Sequence, residues 1–282
     1  MHEKSFWRRI PANDYAIPQG ETISDLTAEL LSCVGSPDPE LRDELALPIL
    51  SFWLHRGLYS PDQLRDMITQ LTTNLRAGLG EAEGDSAFLR SFSALFLAEM
   101  VNYDNKHPFL EKSEILDLLN KALVYLSAEN DMRGYEPTKG WVHPTAHTAD
   151  LLMVLACNRH LGAPELKKIL EGIASKLIHA DTGIYLYNED ERLVMAVIAV
   201  LRRNLLGLDF LENWLNGFVH PEGTNWKDAH LSEQGQRAFY NVKTFLRSFY
   251  ILLDKIENPP AIKNEVSAIL KRVLGDLTPQ YE

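Results

Sequence analysis

The sequence is short of the features that mark membrane, secreted and nucleic-acid-binding chains. It has two cysteines in 282 residues, Cys33 and Cys157, and both fall in predicted helices without metal-type spacing. That argues against a disulfide framework and for buried free thiols in a reducing compartment. No apolar run approaches the roughly 18 residues a membrane helix needs; even Leu193 to Leu201 is closed by Arg202 and Arg203. Met1 to Arg9 leads into Pro11 and polar residues instead of an apolar secretion core, so a cytoplasmic location is expected. Positive charge is also scarce, with 28 Lys and Arg against 39 Asp and Glu, a formal charge of -11. Nucleic acid and anionic membranes are held first by an excess of Lys and Arg, so neither is an expected partner. There is no glycine-rich phosphate loop and no Gly-x-Ser-x-Gly elbow, and neither cysteine has a nucleophile signature, which disfavours nucleotide-dependent and serine-hydrolase chemistry.

What remains is helix. Hydrophobic residues make up 45% of the chain, enough for a sizeable core, and they recur at three- and four-residue intervals with no sustained alternation of apolar and polar. The expectation is an all-α protein, one domain over 1–282, with an irregular N-terminal arm over 1–20. Ser60-Pro61-Asp62-Gln63 carries an N-cap, an N1 proline and a capping-box glutamine. Leu41, Leu45, Ile49, Phe52 and Trp53 predict a helix kinked at Pro48. Asp181-Thr182-Gly183 reads as a turn and Asn188 as an N-cap. Phe88-Leu89-Arg90-Ser91-Phe92 recurs as Phe245-Leu246-Arg247-Ser248-Phe249, each closing a three-helix block led by an acidic pair. Both arginines sit in apolar helices and are expected to meet carboxylates in the core. A duplicated layout of antiparallel helix pairs predicts an α-solenoid of the HEAT or armadillo type, with an α/α toroid as the alternative.

One stretch departs from amphipathic helix. Asp131 to Leu152 gathers Asp131, Arg133, Tyr135, Trp141, His143, His147 and Asp150 around the turn residues Gly134, Pro137 and Gly140. With a helix starting at Pro144, His143, His147 and Asp150 fall at i, i+4 and i+7 on one face. That spacing suits two imidazoles and a carboxylate on one metal, with a position left for water or substrate. The glutamate of the His-Glu-x-x-His zinc signature is absent, since 144 to 146 are Pro-Thr-Ala. Three readings stay open. In the first, His143 caps the helix, His147 donates to a carbonyl, and Asp131, Arg133 and Asp150 form an ion-pair network that fixes the loop. In the second, the site is a metal-dependent hydrolase with Asp190 or Glu191 as general base. In the third, it is a metal-free pocket for a protein or small-molecule ligand, which Tyr185, Tyr187 and the acidic run Glu189-Asp190-Glu191 would face across a groove. A binding or interaction module is the leading expectation and no cofactor is expected; the alternative is a divalent metal such as zinc or manganese.

Arg133-Gly134-Tyr135, Gly140-Trp141-Val142-His143, Ala146-His147 and Asp150-Leu151-Leu152 resemble, together with Glu189 to Leu193 and Asn241 to Arg247, a family of bacterial proteins classified only as a domain of unknown function. The resemblance spans most of the chain, from about the second helix to the last but one. It implies a bacterial, cytoplasmic, helical protein and nothing about substrate.

Overall fold

Apolar residues three and four apart become helix along nearly the whole chain of the computed structural model, which describes residues 2–81, 83–179 and 183–278. The elements run α1 (Lys4–Ala12), α2 (Ile23–Cys33), a π-helical segment (Glu40–Ala46) continuous with α3 (Leu47–His55), α4 (Pro61–Asn74), α5 (Ser86–Lys106) and α6 (Lys112–Ala128). Two two-residue strands follow, β1 (Tyr135–Glu136) and β2 (Gly140–Trp141). Then come α7 (Pro144–Ala156), α8 (Ala163–Ile178), α9 (Glu189–Arg202), α10 (Leu208–Asn216), a 3-10 segment (Trp226–Leu231), α11 (Glu233–Lys255) and α12 (Lys263–Asp276). The fold is all-α, its strands confined to one short hairpin.

Alternate helices pack on one another. Helix α3 lies against α5, α5 against α7, α7 against α9 and α9 against α11, while α6, α8, α10 and α12 make a second row in the same order. Burial is deepest in the middle of the first row, where α7 and α9 are covered on several sides. In α9 every residue from Val197 to Leu201 is buried, and in α7 every residue from Pro144 to Leu152. Each large aliphatic or aromatic side chain sealed this way contributes about 1.5–3 kcal/mol relative to exposure. The capping box of α4 forms as its sequence predicts, with Gln63 N donating to Ser60 Oγ at 3.3 Å and Ser60 N to Gln63 Oε1 at 2.9 Å.

Four expectations are corrected. The arm over 1–20 is not wholly irregular, because Trp7 and Ile10, one turn apart, bury one face of α1. The helix that carries Pro48 is not α-helix throughout: Glu40–Ala46 is π-helical and runs directly into α3, whose second residue is Pro48. Cys157 is exposed, since α7 ends at Ala156, whereas Cys33 is buried as expected. The two Phe-Leu-Arg-Ser-Phe copies also differ. Arg90 is buried and paired with Glu129 in α5, between neighbours on both sides, but Arg247 is exposed on α11, at the end of its row. The turn expected at 181–183 lies mostly outside the described residues.

Candidate functional site

The chain leaving α6 is fixed before it reaches the site. Glu129, buried, accepts Arg90 Nε at 2.6 Å and Nη2 at 2.9 Å, and its Oε1 takes the N–H of Asp131 at 3.0 Å. Asp131 in turn accepts the backbone N–H and the Nε of Arg133, both at 3.0 Å. Arg133 Nη2 reaches back to the Gly84 carbonyl at 2.8 Å. Beyond this anchor, β1 and β2 pair antiparallel with Tyr135 opposite Trp141.

The hairpin is clipped down by Arg42, which is fully buried although the hairpin it serves is on the surface. Its Nη2 donates to the carbonyls of Lys139 (2.7 Å) and Trp141 (3.2 Å), its Nη1 to Ser36 O (2.6 Å) and its Nε to Asp43 Oδ1 (2.7 Å). The guanidinium lies over the rings of Phe88 and Phe92, 4.2 and 4.5 Å from their centroids. Gly140 has φ +78°, and a Cβ there would stand 3.0 Å from Pro39 Cβ, so the approach that lets Arg42 reach both carbonyls needs glycine.

His143 closes the hairpin in the left-handed region at φ 46°, and Asn188, which precedes α9, does the same at φ 66°. A non-glycine residue held there costs about 1–3 kcal/mol, and such positions cluster at ligand clamps and active sites. His143 N donates to Arg133 O at 3.2 Å and Val142 N to Gly134 O at 2.8 Å, which holds the strained residue in place. Neither His143 nor Asn188 makes a side-chain cap bond, so the capping roles expected of them are not used. Instead both side chains line a groove of about 460 Å³ at the N-terminal ends of α7 and α9. Asp43, Phe92, Trp141, His147, Tyr187 and Arg192 share that lining. Trp141 is 42% exposed and Tyr187 41%. The indole stacks at 33° on His143, centroids 4.3 Å apart, and meets Tyr187 edge-on at 5.9 Å and Tyr135 at 5.0 Å. The chain leading to Tyr187 is held by Asn241, which accepts the N–H of Tyr185 at 3.0 Å and donates to Gly183 O at 2.9 Å.

The electrostatics of the site follow from burial. His147 Nδ1 is 3.2 Å from the Ser91 carbonyl, an acceptor, so this nitrogen carries the proton and Nε2 is left as an acceptor. Burial, with the positive charges of Arg192 and Arg42 nearby, pushes the His147 pKa down to about 3, and burial beside Arg192 pushes His143 down to about 4. Both imidazoles are therefore neutral at pH 7. Asp150 accepts Arg192 Nη1 on both oxygens at 2.7 Å, although burial raises its pKa despite that guanidinium. Glu189, also shifted up by burial, takes the Tyr187 N–H on Oε2 at 2.8 Å. Its Oε1 faces His143 Nε2 at 3.7 Å, and among the described residues neither atom has a hydrogen-bond partner.

Of the residues singled out from sequence, Trp141, His143 and His147 meet in the groove, with Tyr135 beside Trp141. Asp131 and Arg133 form the ion pair that fixes the loop, while Asp150 joins Arg192 instead of that network. Asp150 is held on both oxygens by Arg192, and the His143 and His147 rings stand edge to face with centroids 5.8 Å apart. Among the described residues no group of three or more His, Cys, Asp or Glu side chains could hold a metal ion. Asp190 is bonded by the Ser248 hydroxyl at the α9–α11 contact and Glu191 is exposed; the carboxylate that meets a site histidine is Glu189. Arg42 and Arg192 are site residues that sequence reasoning missed. Glu189 belongs to the acidic run expected to face the groove, and Arg192 follows that run directly. Arg42 had only the oddity of an arginine within an apolar pattern.

No curated protein and no solved structure matches the chain. A family model described as a protein of unknown function, DUF2785, matches residues 75–251. The match takes in the anchor, the hairpin, α7 and α9, and leaves Arg42 and Asp43 outside it. It covers well over half of the sequence, and on that ground the chain belongs to the DUF2785 family of proteins of unknown function.

Proposed function

We propose that this protein is a binding module, an α-solenoid whose two helix rows support a small-molecule site in the groove between the hairpin and the N-terminal ends of α7 and α9. The observation that carries the reading is the pairing of Arg42 with Trp141. A fully buried arginine, lying over the rings of two phenylalanines, donates from Nη2 to two carbonyls of the hairpin, whose tryptophan nevertheless stays 42% exposed. Structural packing alone would bury the indole, whereas a ligand site gains by having it fixed in advance. The groove volume of about 460 Å³ falls in the range of small-molecule sites and supports that class over a protein partner.

The test is a fragment screen on protein carrying 5-fluorotryptophan, with the Trp141 resonance assigned through Trp141→Phe. Fragments that shift this resonance in wild type support the reading. A chemically diverse screen that leaves it unmoved overturns it. So does stoichiometric zinc or manganese in protein purified without a His-tag, which would favour a metal-dependent hydrolase.

A further inference from the structure

The charged groups that line the groove are each neutralised from within the protein. Asp43 is met by Arg42 on both oxygens, at 2.7 and 3.2 Å, and Arg192 by Asp150. The two imidazoles are neutral, and the positive end of α9 is already answered by Glu189, Asp190 and Glu191 in its first turn. At α7 the first helical residue is Pro144, which has no N–H to offer an anion. An ionic ligand would therefore leave water without finding a free countercharge.

Hydrogen-bonding capacity is not used up in the same way. Each Asp43 oxygen accepts one bond from Arg42 and keeps a further lone pair. Among the described residues Arg192 bonds only through Nη1, leaving Nη2 and Nε as donors. Among the described residues the Asn188 amide has no partner, and His147 keeps Nε2 as an acceptor. The carboxylate, guanidinium and amide are planar groups that can each take two adjacent hydroxyls at once. Beside them stand the rings of Trp141 and Tyr187, each about two-fifths exposed; His143 lies against one side of the indole, and a ligand ring's C–H groups can pack on the apolar surface that stays open.

We propose that the groove binds a neutral saccharide, a ring of uncharged hydroxyls stacked on Trp141 with its polar edge turned to Asp43, Asn188 and Arg192. The proposal rests on the groove being a ligand site and adds the chemical class.

Saturation-transfer NMR on the full chain tests this with glucose, N-acetylglucosamine, maltotriose and cellotriose. The comparators are glucuronate, glucosamine and adenosine, with inorganic phosphate, which has no C–H protons, read by the 5-fluorotryptophan resonance of Trp141, on which every compound is also checked. The expected result is transfer to the C–H protons of at least one neutral saccharide, weaker binding of its charged counterpart, and affinity about tenfold lower in Trp141→Ala, the order expected when a stacked ring is lost. Trp141→Phe, which keeps a ring on an exposed position, should retain most of the binding. Tighter binding of glucuronate, glucosamine or phosphate overturns the proposal, as does saccharide binding that Trp141→Ala leaves unchanged. If adenosine or phosphate alone shifts the Trp141 resonance, the saccharide is wrong and the ligand site stands; if no compound shifts it, both fall.

Discussion

Tyr187 lies across Gly134. A Cβ at Gly134 would stand 2.7 Å from Tyr187 Cβ and overlap the ring itself. The contact joins the loop before α9 to the hairpin before α7, so the two groups that wall the groove, Trp141 and Tyr187, are set relative to each other through one glycine.

Gly134→Ala is expected to destabilise the protein by about 1–3 kcal/mol, the usual cost of forcing a methyl into a filled site. Tyr187→Ala should remove most of that penalty when combined with it. Chemical denaturation of the two single variants and the double would show the coupling, and strict additivity would contradict the packing described.

Arg42→Lys is expected to behave like a deletion. Lysine has one ammonium where the hairpin, Asp43 and Ser36 are held by three nitrogens of a planar fork. Amide hydrogen exchange over residues 135–142 should speed up, with helices away from the hairpin unaffected. Wild-type protection of that segment in the variant would show that the clip is not what orders it.

Arg90 and Glu129 form an ion pair that is 1% and 3% exposed. Replacing one member, as in Arg90→Met, leaves the other charge buried and should cost about 3–5 kcal/mol. The double change Arg90→Met with Glu129→Leu should cost less than either single change, since no buried charge is stranded. A single variant within about 1 kcal/mol of wild type would contradict this account.

Stability should fall as the solution is acidified from about pH 6.5. The folded-state pKa values of His143 and His147, about 4 and about 3, lie below their ordinary 6.5, so between these values the unfolded chain binds protons that the folded chain does not. Each such group lowers stability by up to about 1.4 kcal/mol per pH unit on acidification. Asp150 and Glu189 are shifted up and oppose the trend, so the clean measurement is the difference between wild type and His147→Asn. The variant should show the shallower loss between pH 6.5 and 4.5; parallel curves would mean that His147 is not held neutral.

Local rules determined much of this molecule from sequence. Helix periodicity, the Ser60–Gln63 capping box, the turn glycines and the unusual density of polar and aromatic residues over 131–150 depend on neighbours a few positions apart, so spacing reveals them. The same logic singled out Trp141, His143 and His147, which line one groove, and allowed Tyr187 to face them. Which groups pair across the fold was decided only in three dimensions. Asp150 suits a metal by its spacing from His147, but Arg192, 42 residues further along, takes both its oxygens. Arg42 sits 99 residues before the Trp141 carbonyl it holds. Glu189 could be read as a helix cap until α9 packed against α7 and brought it to His143. Identical Phe-Leu-Arg-Ser-Phe segments gave one buried and one exposed arginine, because burial depends on how many neighbours a helix has in its row. Spacing along the chain says which residues share a face; what that face meets, and which charges are cancelled there, is set by elements distant in sequence.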